Sequence, residues 1–258
     1  MDVRSWNRDA WNRQVSNANP WTVPVSAEEV ARAKTGDWEI KLTATRSVPG
    51  SWFPDLAGCR VLCLAAGGGQ QGPILAAAGA VVTVFDNSPD QLKQDRIVAE
   101  RNGLQINVEE GDMADLSRFE DGSFDLIVHP CSNCFVPDVR LVWREAFRVL
   151  SPGGALLSGF VNPVCFLFSE ADCASGNLTV TQSLPWSDAE SLDHPDVKRR
   201  VADGEPLEFG HLLEDQIGGQ LEVGFMITGF YEDRSDDPGD TLSKFTPWMI
   251  ATRAVRPK

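Results

Sequence analysis

Glycine spacing is the first chemical signal in the chain. Val61 to Ala66 is an apolar run of strand type that ends abruptly in Gly67-Gly68-Gly69-Gln70-Gln71-Gly72. Glycine lets backbone turn sharply and approach a ligand with no Cβ in the way. The next acidic residue at a strand end is Asp86, which closes Ala80 to Phe85. A glycine turn after one strand and a carboxylate after the next describe a nucleoside pocket, in which the carboxylate accepts hydrogen bonds from ribose hydroxyls. By itself Gly67-x-Gly69-x-x-Gly72 does not choose among nucleoside ligands. Further along, His129 follows a strand-like run directly, and its pKa class suits proton removal near neutrality. Cys131 and Cys134 have CxxC spacing beside it. One such pair is half a zinc site, and no metal is expected.

The elements that must position these residues alternate. Strands are expected at Arg60–Ala65, Val81–Phe85, Ile106–Glu109, Phe124–His129 and Ala155–Phe160, with helices between them. Ser88-Pro89 caps one helix, which Asn102-Gly103 ends, and Ser151-Pro152-Gly153-Gly154 stops another. Strands this uniformly apolar imply a parallel sheet covered on both faces. Ligands of such sheets lie beyond the carboxyl ends of the strands, where Asp86, Asp112 and His129 all fall. A short helix, Gly210–Gly219, is expected to end at Gly218-Gly219. Leu221–Phe230 and Phe245–Val255 then read as two strands joined hairpin-fashion, giving the sheet an antiparallel end.

This series resembles the class I S-adenosylmethionine-dependent methyltransferases. The resemblance rests on Cys63 to Gly69, Asp86, Gly111-Asp112-Met113, Arg148 to Leu156 and Glu222 to Phe225, and it covers roughly 58–160 and 207–255. It implies an α/β, Rossmann-like fold: a seven-stranded, mostly parallel sheet with one antiparallel edge strand, helices on both faces and an inserted lid. It also implies S-adenosyl-L-methionine as cofactor, with Ala65, Gly67, Gly68, Gly69, Asp86, Asn87, Asp112, Met113 and His129 around it. Asp112 would bond the adenine amino group, and His129 is the candidate base. Two positions depart from the family pattern: Cys63 stands for the usual acidic residue and Ala65 for the first glycine. The alanine methyl is tolerated if that turn has φ below zero.

Four segments follow: an aromatic-rich extension over 1–55, which holds five of the eight tryptophans, a cofactor-binding core over 56–160, a lid over 161–206, and completion of the sheet over 207–258. Trp11, Trp21, Ser132, Asn133, Phe166 and Trp186 are the candidate substrate contacts. Net charge is −14, which repels phosphate backbones and argues for a small-molecule acceptor rather than nucleic acid. Lys198-Arg199-Arg200 reads as a solvated helix face. No apolar run approaches a membrane span, the N-terminus lacks the apolar core of a signal peptide, and the cysteines suit a reducing cytoplasm. The expected activity is methyl transfer to an oxygen, nitrogen or sulfur atom, by a monomer or homodimer. A nicotinamide-dependent oxidoreductase satisfies the glycine spacing and Asp86 too, and Cys63 with Ala65 leaves a non-catalytic cofactor-binding module as the other alternative.

Overall fold

The computed structural model describes residues 1–258. Five parallel strands come first: β1 (Arg60–Leu64), β2 (Val81–Asp86), β3 (Ile106–Glu110), β4 (Phe124–His129) and β5 (Leu150–Val161). Two more, β6 (Met226–Asp233) and β7 (Met249–Val255), complete a seven-stranded sheet of order β3-β2-β1-β4-β5-β7-β6. Only β7 runs against the others, and it lies between β5 and β6. The order reverses direction at β1 and β4, which opens a crevice at their carboxyl ends.

Alternation along β1 builds both faces of the sheet. Val61 and Cys63 enter one core with Leu75, Val84 and Leu92. Leu62 and Leu64 enter the other with Phe85, Ile127 and Trp143. All four β1 side chains are fully buried, as expected for strands sandwiched between helices. Helix α3 (Gln71–Ala77) and helix α4 (Pro89–Asn102) cover the first face. The Ser88 hydroxyl caps α4 by accepting from the Gln91 amide at 3.1 Å, and Gly103 ends it at φ +64°. Helix α5 (Val139–Val149) covers the second face with Val139, Val142, Trp143, Ala146 and Val149, a helical stripe.

Two further segments close over the crevice. Helix α1 (Val3–Ser16) packs across α4, and residues 20–25 drape over the glycine turn; α2 (Ala27–Ala33) follows. The Val25 amide donates to the Gly69 carbonyl at 2.9 Å, and Gln70 Nε2 reaches the carbonyls of Pro20 and Val23. On the opposite side, α6 (Glu170–Ser175), a two-stranded ribbon (Trp186–Ser187 with Phe209–Gly210) and α7 (Pro195–Asp203) form the lid. No helix is long and apolar enough to cross a membrane.

Several expected boundaries move: β5 begins at Leu150 rather than Ala155, and β7 at Met249 rather than Phe245, because a 3-10 turn, Leu242–Lys244, precedes it. Gly218-Gly219 does not end a helix: a π-helical turn, Glu214–Gly218, runs on into α8 (Gly219–Glu222). A Cβ at Gly219 would stand 2.9 Å from Trp143 Cδ1, so that glycine serves packing. Leu221 is therefore helical, and the strand begins only at Met226, after Gly224 breaks the helix at φ +107°.

Candidate functional site

The strand ends deliver the expected polar groups to one place. Asp86 Oδ2 accepts from the Gly67 amide at 3.0 Å and Oδ1 from the Ser88 amide at 2.8 Å, so the end of β2 clamps the glycine turn. A Cβ at Gly67 would sit 2.8 Å from Gln91 Cβ and 3.1 Å from the Asp86 carboxyl. Only glycine allows that approach. The Gly111 amide donates to the Asp86 carbonyl at 2.9 Å and brings Asp112 alongside. Burial pushes the Asp86 pKa up against the pull of the Ser88 and Gly67 amides.

One cavity of about 960 Å³ extends from these groups. Ala65, Gly67, Asp86, Asn87, Asp112 and Met113 line one half. Trp11, Trp21, Ser132, Phe166 and Trp186 also face it. The glycine turn, the Asp86 carboxylate and the nearby Asp112 fit an adenosyl group: a backbone free of Cβ atoms, an acceptor for ribose hydroxyls and a carboxylate for an exocyclic amine.

Four expected site residues lie off the cavity lining, and the turn at Ala65 has the opposite sign of φ. His129 is wholly buried behind Pro130, with Nδ1 2.8 Å from the Leu64 carbonyl and its ring edge-on to Trp143. Burial drives its pKa down to about 4, and it does not line the cavity. Asn133 is buried too, bonded to Gln216 through Nδ2 at 2.9 Å, while its carbonyl meets His211 Nε2. Gly68 and Gly69 turn away from the cavity at φ +110° and +71°, beneath Trp21 and Pro24. Ala65 does face it, but at φ +46° rather than below zero. An L-residue there carries strain of about 1–2 kcal/mol.

In the other half of the cavity the aromatic residues were expected and the ion cluster was not. Arg200, read as part of a solvated face, is largely buried. Its guanidinium meets Glu208 at 2.6 Å, Glu170 at 2.5 Å and Asp188 at 3.5 Å. Burial works against its charge, but the three carboxylates outweigh that and hold its pKa above the ordinary arginine value. Burial likewise raises Glu208 against the opposing pull of Arg200. Asn7, in the middle of α1, bonds the Leu207 amide and carbonyl and the Phe135 carbonyl. Arg4 on the same helix lies 3.3 Å from Asn87 Oδ1 and 4.0 Å from Asp112 Oδ2. Helix α1 thus ties the two halves together. An asparagine in mid-helix is the one sequence signal that marked it.

Cys131, Cys134, Cys165 and Cys173 line the cavity as free thiols. No three metal-ligating side chains converge anywhere in the chain. Burial pushes Cys131 up to about 12, which keeps it protonated.

The chain is similar to known proteins in sequence and in fold. The family described as "Methyltransferase domain" matches residues 62–158. The chain is 52% identical over 250 residues to "Uncharacterized methyltransferase YbaJ" of Bacillus subtilis (strain 168), covering 97% of each. It is 34% identical over 108 residues to "Ubiquinone biosynthesis O-methyltransferase" of Xanthomonas oryzae pv. oryzae, covering 42% of this chain and 45% of that one. Among solved structures, an S-adenosylmethionine-dependent methyltransferase from Mesorhizobium loti superposes with a TM-score of 0.63 at 20% identity, over 80% of this chain and 94% of that one.

Proposed function

The chain belongs to the class I S-adenosylmethionine-dependent methyltransferases, and we propose that its acceptor is a small molecule held in the lid half of the cavity. The nicotinamide alternative falls with that membership. One observation carries the reading: a single cavity of about 960 Å³ joins the Asp86–Asp112 end to the Trp186–Arg200 end under α1 and the lid. That volume sits at the upper end of the range for sites that take small ligands, about 300–1,000 Å³.

When bound, S-adenosylmethionine supplies a methyl group on a positively charged sulfur. Asp86 and Asn87 would hold its ribose, Asp112 and Met113 its adenine, and Gly67 lets the chain pass close to it. Trp11, Phe166 and Trp186 would wall the acceptor and exclude water. In-line displacement leaves the protein mainly the task of alignment. For an acceptor that must lose a proton, Glu208 takes the part that His129 cannot fill. It faces the cavity, Arg200 orients its carboxylate, and burial raises its pKa against the pull of Arg200.

The test is a panel of small phenols, amines and thiols incubated with the protein and S-adenosylmethionine, with S-adenosylhomocysteine release as readout. Methyl-labelled cofactor with fractionated cell extract runs in parallel. Turnover with a small molecule is the expected result, and label confined to protein or nucleic acid sinks the proposal. With the acceptor so identified, Glu208→Gln should lower turnover by about 10²–10⁴-fold at unchanged S-adenosylhomocysteine affinity.

A further inference from the structure

The glycine turn is gripped from two sides, and the mechanism uses only one. Asp86 holds the Gly67 amide from the cavity side. Beneath the turn, Asp95 projects from α4 and its Oδ2 accepts from the Gly68 amide at 3.1 Å, a donor it shares with the Gln91 carbonyl, also at 3.1 Å. Asp95 is 0% exposed and does not reach the cavity. Strand β1 gives the turn no such support: Cys63 points into the apolar core and is fully buried.

Two orphaned acceptors mark the spot. Asp95 Oδ1 and Gln91 Oε1 are both buried without a hydrogen-bond partner. They belong to residues four apart on α4, hence on one face of the helix. Two buried acceptors without a donor are costly. A proton on the Asp95 carboxyl turns one of them into a donor. Burial favours that protonated form, and so does the neighbouring negative charge of Asp86, while the Gly69 and Gly68 amides favour the anion; burial dominates and puts the group at about 8. The other titratable group facing it is the Cys63 thiol, itself held protonated by burial and by Asp95.

We propose that Asp95 is the positioning residue of the cofactor turn, fixing the Gly67–Gly69 backbone from below by accepting from the Gly68 amide. It touches no ligand. Its effect is to hold the Gly68 peptide, and through it the neighbouring Gly67 that lines the cavity, so removing it should weaken cofactor binding without removing a contact. This rests on the cofactor assignment, which wild-type binding of S-adenosylhomocysteine tests separately.

The experiment is calorimetric titration of S-adenosylhomocysteine into wild type, Asp95→Asn and Asp95→Ala at pH 7, with a thermal melt of each. Asparagine keeps an acceptor for Gly68 and supplies a neutral donor for Gln91. Its affinity should stay within about threefold of wild type, whereas alanine should lose tenfold or more while remaining folded. Alanine binding as tightly as wild type overturns the proposal, because Asp95 then only fills space. Asparagine as weak as alanine overturns it too, because a neutral acceptor is then insufficient. If the alanine variant does not fold, Asp95→Leu, which fills the space without an acceptor, takes its place: S-adenosylhomocysteine binding weakened tenfold or more supports the proposal, and wild-type affinity overturns it.

Discussion

The two halves of the cavity are built on different principles. At the cofactor end, functional groups come from successive strand ends and from backbone: Gly67 after β1, Asp86 at the end of β2, Asp112 just after β3. Each is fixed by the sheet, and each partner lies nearby in sequence or in the next strand. At the lid end, side chains from remote segments meet one another. Asn7 bonds Leu207 across 200 residues, and Arg200 gathers Glu170, Asp188 and Glu208 from three elements. A shared cofactor is served by geometry common to a fold, while an individual acceptor is served by side chains particular to one chain. The lid end accordingly rests on a buried ion cluster, and the cofactor end on amides and glycines.

Substitutions should separate these principles. The largest effect is expected at Arg200. Arg200→Met leaves Glu208, Glu170 and Asp188 crowded without their cation, at a cost of about 3–5 kcal/mol. For a chain of this size that is a melting-temperature drop on the order of 10 °C, with S-adenosylhomocysteine affinity kept in the folded fraction. An unchanged melt would mean that the cluster is not a structural unit.

At the other end, Asp86→Ala should do the reverse. Loss of charge-assisted bonds to ribose hydroxyls, about 1.5–3 kcal/mol each, lowers S-adenosylhomocysteine affinity by about 100-fold or more in calorimetry, and the melt moves less than for Arg200→Met. If stability fell as far as affinity, the two ends would not be separable.

Asp233 tests the wall they share. It accepts from the Thr43 hydroxyl, the Thr45 amide and hydroxyl, and the Arg46 and Arg234 amides. It thereby anchors the segment whose Leu42 and Thr43 line the cavity. Burial alone would raise its pKa, but bonds from Thr45, Thr43 and the Arg46 and Thr45 amides outweigh burial and hold it at about 2, against 3.8 for the unperturbed group. A folded-state pKa below the unfolded one means its contribution is whole above about pH 4 and vanishes as pH falls through 2. Asp233→Asn should cost about 1–3 kcal/mol at pH 7 and converge on wild type in acid melts.

The smallest effect is a gain. Ala65→Gly relieves the left-handed alanine at φ +46°, worth about 1 kcal/mol after the added freedom of the unfolded chain is subtracted, and should raise the melting temperature by about 2–4 °C. A fall would show that the Ala65 methyl makes contacts worth more than its strain.

Sequence alone was enough for the order of the strands and the α4 caps, and it named Gly67, Asp86 and Asp112, which the fold gathers at one end of the cavity. Apolar runs, glycine turns and capping residues are local, and a parallel sheet converts their order into position: once β1 and β2 are placed, Gly67 and Asp86 must meet. It was also enough to set Cys63 and Ala65 apart as departures from the family. Tertiary structure alone decided which way each side chain points. Leu64 and Trp143 hold His129 in the core, although its place at the end of β4 suggested a base. The φ of Ala65 follows from how the turn leaves β1, with its amide donating to the Phe85 carbonyl at 2.7 Å. Arg200 looked solvated because its neighbours Lys198 and Arg199 are charged. Its partners Asp188 and Glu208 flank the two ribbon strands, and Glu170 comes from α6, so no spacing along α7 could announce them. Period and capping are properties of a segment, whereas burial and ion pairing belong to whatever the fold brings against it.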